Sequence, residues 1–198
     1  MKNRVERISW ASLGINVAFS AFYVIFAVVE SSWWLFTLGI YYLGLSVVRF
    51  IVLRSRKREG VRVALFTGIM LTALVVPLAG SVILSVVRER GTTLGLIPML
   101  TVAVYAFTKI TLAVVNLVRS RHSTSERLIA LKNISLADGL VSIFSLQRSM
   151  LVSFEGMSGE EIRIMNCATG IAVCAAVLLL GINLMSKRWM FTGLSKEK

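Results

Sequence analysis

The chain has 198 residues, 56% of them hydrophobic, with a mean hydropathy of +0.78 and a formal net charge of +12. A soluble domain of this length cannot hide so much apolar surface, and the apolar residues fall in long blocks rather than in alternation, so the composition points to membrane-spanning helices. The positive charge would suggest nucleic acid in a soluble protein. Here the basic residues sit between the apolar blocks, where the positive-inside rule accounts for them, and no nucleic-acid partner is expected.

Six apolar runs read as helices at residues 8–29, 32–53, 61–87, 94–118, 128–151 and 162–185, forming one all-α integral membrane domain over residues 1–198 with the lipid bilayer as its first partner. The first run follows the basic start MKNRVER. It is too long for a signal-peptide apolar core and has no clean small-x-small cleavage site before Glu30, so it reads as a retained helix. Asn16 and Ser20 lie four apart on one face of it and are expected to point into the bundle. Trp33 and Trp34 open the second run, as residues of a headgroup belt do. That run closes on RSRKRE, whose Arg54, Arg56, Lys57 and Arg58 read as an orientation signal and as candidates for contact with anionic lipid headgroups.

The third run contains Pro77, which removes a backbone hydrogen bond and should kink the helix. The fourth holds Thr108, Lys109, Thr111 and Asn116 and ends in the polar loop RSRHSTSER. The fifth holds Asp138. After it, Ser158-Gly159-Glu160-Glu161 has the spacing of a capping box. The sixth run is rich in small residues, among them Ala168, Gly170, Ala172, Ala175 and Ala176, which permit close helix packing.

With both termini inside, the inner segments carry 17 of the 22 Lys and Arg, counting Arg49, Arg62 and Lys132 with the loops beside them, and the outer segments carry Arg88, Arg90, Arg148 and Arg163. Inversion would break the positive-inside rule, so the reading is N-in/C-in, multi-pass, in the cell membrane.

Lys109 is left over, and with Asp138 it makes a pair of clearly intramembrane charges. An ionised side chain at mid-bilayer costs from about 2.5 to over 10 kcal/mol, so such residues usually find a partner or a role. Lys109 lies ten residues before Arg119 and Asp138 eleven after Arg127, which places each about 15 Å from the inner end of its helix. The two helices are consecutive and antiparallel, so an ion pair between them is expected. It reads either as a structural bridge that sets helix register or as a proton- or cation-linked transport site. Tyr41, Tyr42, Asn16, Thr108, Asn116 and Ser142 are the candidates to line a path beside it. Cys167 and Cys174 are seven apart, no Cys-x-x-Cys exists and His122 is the sole histidine, so a Cys/His zinc or iron–sulfur site is not expected. With no paired carboxylates, no Ser/His/Asp arrangement and no Gly-rich phosphate loop, neither an enzyme nor a cofactor is expected.

The stretch RLIALKNISLADGLVSIFSL, residues 127–146, resembles the fifth helix of the cation diffusion facilitator (cation efflux) family, through Ile134, Asp138, Gly139, Leu140 and Ser142. Residues 119–129 are similar to that family's link between helices four and five, and residues 21–57 to its first two helices, with Ser32-Trp33-Trp34-Leu35 at the turn. The resemblance implies a six-helix cation-efflux-like bundle and a homodimer, which the small-residue last run permits. It also implies metal ligands at four positions, but Tyr41, Leu45 and Ile134 occupy three of them. Only Asp138 remains, and one carboxylate cannot hold a zinc ion. The family's metal-binding C-terminal domain is not expected here. Two readings follow: a divergent transporter that does not carry zinc, of unknown cargo, or a non-transporting membrane protein used as a scaffold or assembly partner.

Overall fold

The computed structural model describes residues 2–55, 60–87, 96–119, 125–153 and 158–194. Among these residues six helices follow one another: α1 Lys2–Val29, α2 Trp33–Arg54, α3 Gly60–Val87, α4 Leu96–Arg119, α5 Glu126–Ser153 and α6 Gly159–Leu194. Among the described residues there is no strand. The helices overrun the apolar runs at several ends because polar and basic residues such as those of Lys2–Arg7 continue the helix beyond the greasy segment. Ser32, expected as the first residue of the second helix, is its N-cap, and residues 94 and 95 lie outside the described residues. Among the described residues five of the helices are long and apolar enough to cross a membrane; α4 contributes a shorter apolar stretch, Leu100–Val115.

Packing contacts run around the bundle in the order α1, α2, α3, α6, α5, α4, with α5 also reaching across to α2 and α3 and α1 touching α4. The inner helices are α2 and α5, whose apolar stretches are more than half buried, whereas those of α1, α3 and α6 are mostly uncovered. The apolar residues that remain exposed, such as Ile25, Val76, Val104 and Leu179, lie on the outward faces of α1, α3, α4 and α6. That is the distribution of a bundle whose outside meets hydrocarbon rather than water.

Local chemistry sets the joints. The α1–α2 turn is closed by Ser32 N–H donating to Ala27 O at 3.0 Å, with Ser31 at φ 49° in the left-handed region that glycine usually fills. Trp33 and Trp34 part company there: Trp33 is 60% exposed while Trp34 is 6% exposed and turned into the bundle. Arg127 at the start of α5 donates through Nε to Val52 O at 3.0 Å and through Nη2 to Leu53 O, satisfying carbonyls at the end of α2 that have no partner within the helix. At the start of α6, Ser158 N–H donates to Glu161 Oε2 at 2.9 Å and Glu161 N–H donates to Ser158 Oγ at 3.3 Å, a reciprocal capping box. The helix α3 runs unbroken through Pro77.

Close backbone approach between α3 and α6 rests on glycine. A Cβ at Gly181 would meet Thr72 Oγ1 at 2.6 Å, one at Gly68 would meet Gly181 O at 2.9 Å, and one at Gly170 would meet Val82 Cγ1 at 2.5 Å. These contacts also show that the two helices run antiparallel. Gly170 and Gly181 of α6 therefore serve packing within one chain.

Candidate functional site: a buried ion triad

Four helices bring polar side chains to one point in the middle of the bundle. On α1, Ser9, Ser12, Asn16 and Ser20 recur every three or four residues and are all buried. On α5 the same spacing carries Ser135, Asp138, Ser142, Ser145 and Ser149, again all buried. Arg49 comes from α2 and Tyr105 and Lys109 from α4. Gly139 lets α4 approach: a Cβ there would stand 3.0 Å from Ala113 Cβ.

The structure brings Lys109 and Asp138 together, with Nζ 2.7 Å from Oδ2, and side-chain exposures of 1% and 2%. It also brings a third charge that sequence reasoning counted with the loop basics. Arg49 Nη2 donates to the same Oδ2 at 3.2 Å, and Arg49 is fully buried. Two intramembrane charges thus become three here. Arg148, counted with the outer segments, is a further buried cation nearer the outer end of α5, at 4% exposure. The signal for Arg49 was its flanks: Val47 and Val48 precede it, Phe50 and Ile51 follow it, and Arg54 is more than a turn away. The signal for Arg148 was its place in the serine register of α5, one residue before Ser149. Taking both out of the loop count lowers each side by one and leaves the charge asymmetry intact.

Oδ2 accepts a third bond from Asn16 Nδ2 at 3.1 Å, while Oδ1 has no partner among the described residues. Ser12 ties the two cations to each other: Arg49 Nη1 and Lys109 Nζ both donate to its Oγ, the latter at 3.1 Å, and Lys109 also donates to the Ser12 carbonyl at 3.3 Å. Arg49 Nε has no acceptor among the described residues. The cluster holds two fixed cations and one carboxylate, an excess of one positive charge in a site with almost no access to water.

Aromatic rings close the site on the side toward the α1–α2 turn. Tyr105 donates to Asn16 Oδ1 at 3.4 Å, stacks on Phe19 with centroids 3.6 Å apart, and lies 5.4 Å from Lys109 Nζ. Tyr42 meets Tyr105 edge-on and stacks with Tyr23 at 5.5 Å. The hydroxyls continue along α5: Tyr42 Oη is 3.3 Å from Ser142 Oγ and Tyr23 Oη 2.8 Å from Ser145 Oγ. Ser142 Oγ in turn donates to Asp138 O at 2.8 Å.

The other expected lining residues divide. Asn16, Tyr42 and Ser142 belong to this cluster. Tyr41 is fully buried with its hydroxyl unpartnered among the described residues. Thr108 is exposed, donates to Val104 O, and lines an open groove of about 400 Å³ between α1 and α4 rather than the centre. The side chain of Asn116 lies outside the described residues, as do Arg56, Lys57 and Arg58; Arg54 is exposed at the end of α2. Leu45 and Ile134 are fully buried core residues. Among the described residues no three His, Cys, Asp or Glu side chains come together as a metal site.

No protein-family model matches the chain, and a search of curated proteins gives no match.

Proposed function

We propose that this chain is a six-span, N-in/C-in transporter of the cell membrane, cation-efflux-like in outline, in which the Arg49–Asp138–Lys109 triad handles protons rather than a metal cargo. The observation that carries the reading is the ratio of charges: two fixed cations stand on one buried carboxylate. A mobile cation would have to bind the remaining oxygen, Oδ1, against the repulsion of both of them. A proton need not, because arginine keeps its charge in proteins while a buried lysine is readily made neutral. Loss of the Lys109 proton leaves Arg49 paired with Asp138 and the cluster neutral, so Lys109 is the group that can alternate between two states. The hydroxyls of Tyr42, Ser142, Tyr23 and Ser145 extend from the triad toward one end of the bundle and supply donors and acceptors along that side. Support for six spans comes from α4, whose 24 residues extend about 36 Å, enough for a hydrocarbon core of about 30 Å.

The test is a proteoliposome assay with an internal pH dye and a panel of ions. Wild type should move protons in step with one of the ions, and Lys109→Arg, which keeps the charge but cannot release it, should be folded and inactive. Leak-level flux for every ion in wild type overturns the reading.

A second reading, a non-transporting scaffold or assembly partner, draws on the dryness of the cluster, whose charged side chains are 0–2% exposed. Under it the triad only locks helix register, no ion moves, and a protein partner co-purifies.

A further inference from the structure

At the far end of α5 stands another buried cation, with no carboxylate partner among the described residues. Arg148 lies ten residues, about 15 Å, along the helix from Asp138. Its Nη1 donates to Ser85 O at 3.0 Å, and its guanidinium lies over the Trp34 ring, Cζ 4.4 Å from the centroid. Those contacts use one N–H and one face of a group that has five N–H donors. No carboxylate among the described residues pairs with it.

Two polar side chains close to it are also unsatisfied. Trp34 Nε1–H has no acceptor, and neither Nδ2 nor Oδ1 of Asn166 has a partner, among the described residues. Trp34 is 6% exposed and Asn166 is 1% exposed. Helix register sets Asn166 at the same level of the bundle as the guanidinium. Gly170 of α6 packs on Val82 of α3, and one turn onward in these antiparallel helices sets Asn166 opposite Ser85, whose carbonyl Arg148 holds. From the other side, Gln147 Nε2 donates to Thr169 Oγ1 at 2.8 Å, which sets the 166–170 turn against the turn that includes Arg148. A guanidinium, an indole N–H and a carboxamide therefore gather where α2 and α6 begin and α3 and α5 end. Buried polar groups are nearly always hydrogen-bonded; two unsatisfied donors by a cation that no described carboxylate pairs call for an anionic acceptor, and Oδ1 of Asn166 calls for a donor.

We propose that Arg148, Trp34 and Asn166 form a binding site for a phosphate group that carries a neighbouring hydroxyl. The guanidinium and the two N–H groups donate to phosphate oxygens, and Asn166 Oδ1 accepts from the hydroxyl. Arginine suits a tetrahedral oxyanion because its fork makes paired hydrogen bonds. Inorganic phosphate offers this chemistry, and so does a phosphatidylglycerol headgroup reaching in from the bilayer surface. The site is separate from the Asp138 triad and does not depend on the transport reading.

Thermal unfolding of delipidated, detergent-solubilised protein tests it. One series titrates inorganic phosphate against chloride at constant ionic strength; a second titrates phosphatidylglycerol against phosphatidylcholine in mixed micelles. Wild type should be stabilised by inorganic phosphate if the ligand is free, or only by phosphatidylglycerol if it is a headgroup. Trp34→Phe keeps a ring under the guanidinium and removes only the N–H; it and Asn166→Leu should each shift the midpoint of the response about tenfold, and Arg148→Gln should abolish it. If Arg148→Gln fails to fold, the other two variants still decide. The proposal is overturned if neither phosphate nor phosphatidylglycerol stabilises wild type beyond its control, or if Trp34→Phe and Asn166→Leu titrate like wild type.

Discussion

Removing Asp138 and removing Lys109 should have very unequal consequences, although the two make the shortest ion pair in the cluster. Nζ of Lys109 and Nη2 of Arg49 bind one carboxylate oxygen at 2.7 and 3.2 Å, so the two charged nitrogens lie within about 6 Å of each other. At an effective dielectric constant of about 20 their repulsion is about 3 kcal/mol. In the native protein the carboxylate offsets it. In Asp138→Asn nothing does, and two buried cations are left sharing Ser12. Breaking a buried pair in this way costs about 3–5 kcal/mol. For a chain of this size each kcal/mol moves Tm by about 2–4 °C, so the loss should be about 6–20 °C. Lys109→Met fills similar space, removes the repulsion and leaves Arg49 and Asp138 as a one-to-one pair. It should change stability by no more than about 1 kcal/mol, in either direction. Thermal unfolding of both variants in the same detergent is the measurement. If Lys109→Met falls as far as Asp138→Asn, or if Asp138→Asn stays within about 2 °C of wild type, the picture of one carboxylate shared by two cations is wrong.

Other outcomes follow from the same geometry. Tyr23→Phe loses a 2.8 Å bond to Ser145 and should cost about 1 kcal/mol, more than Tyr42→Phe, whose contact with Ser142 is 3.3 Å; chemical or thermal unfolding ranks the two. Gly181→Leu drives a side chain into Thr72 and the Gly68 carbonyl, so α3 and α6 must separate at a cost of about 1–3 kcal/mol, read as a lower Tm that Gly80→Leu, in open space, does not reproduce. Ser31→Gly removes left-handed strain from the α1–α2 turn and should raise stability by about 1 kcal/mol, measured the same way. For topology, cysteines placed singly at Ser55 or Ser125 in a background lacking Cys167 and Cys174 should react with an impermeant thiol reagent only from the cytoplasmic side, and one at Ser158 only from outside.

Much of this protein is legible in the sequence because the relevant forces act locally. Long apolar blocks need no partner to declare themselves as helices, and the Ser158–Glu161 capping box lies within a single turn. A carboxylate eleven residues inside an apolar run has no solvent within reach, so Asp138 had to stand out. Arg49 did not, because a basic residue near a helix end can equally extend to the headgroups, and only the packing of α1, α4 and α5 around it decides that it turns inward. The same holds for Arg148, and for Trp34 beside Trp33, where adjacent residues on a helix point about 100° apart and the neighbouring helices choose which one is covered. The bare sequence settled the helical membrane character and picked out Lys109 and Asp138 as the charges to explain. Tertiary packing alone settled that one carboxylate serves two cations, because the charge balance of a site is the sum over helices far apart in the chain.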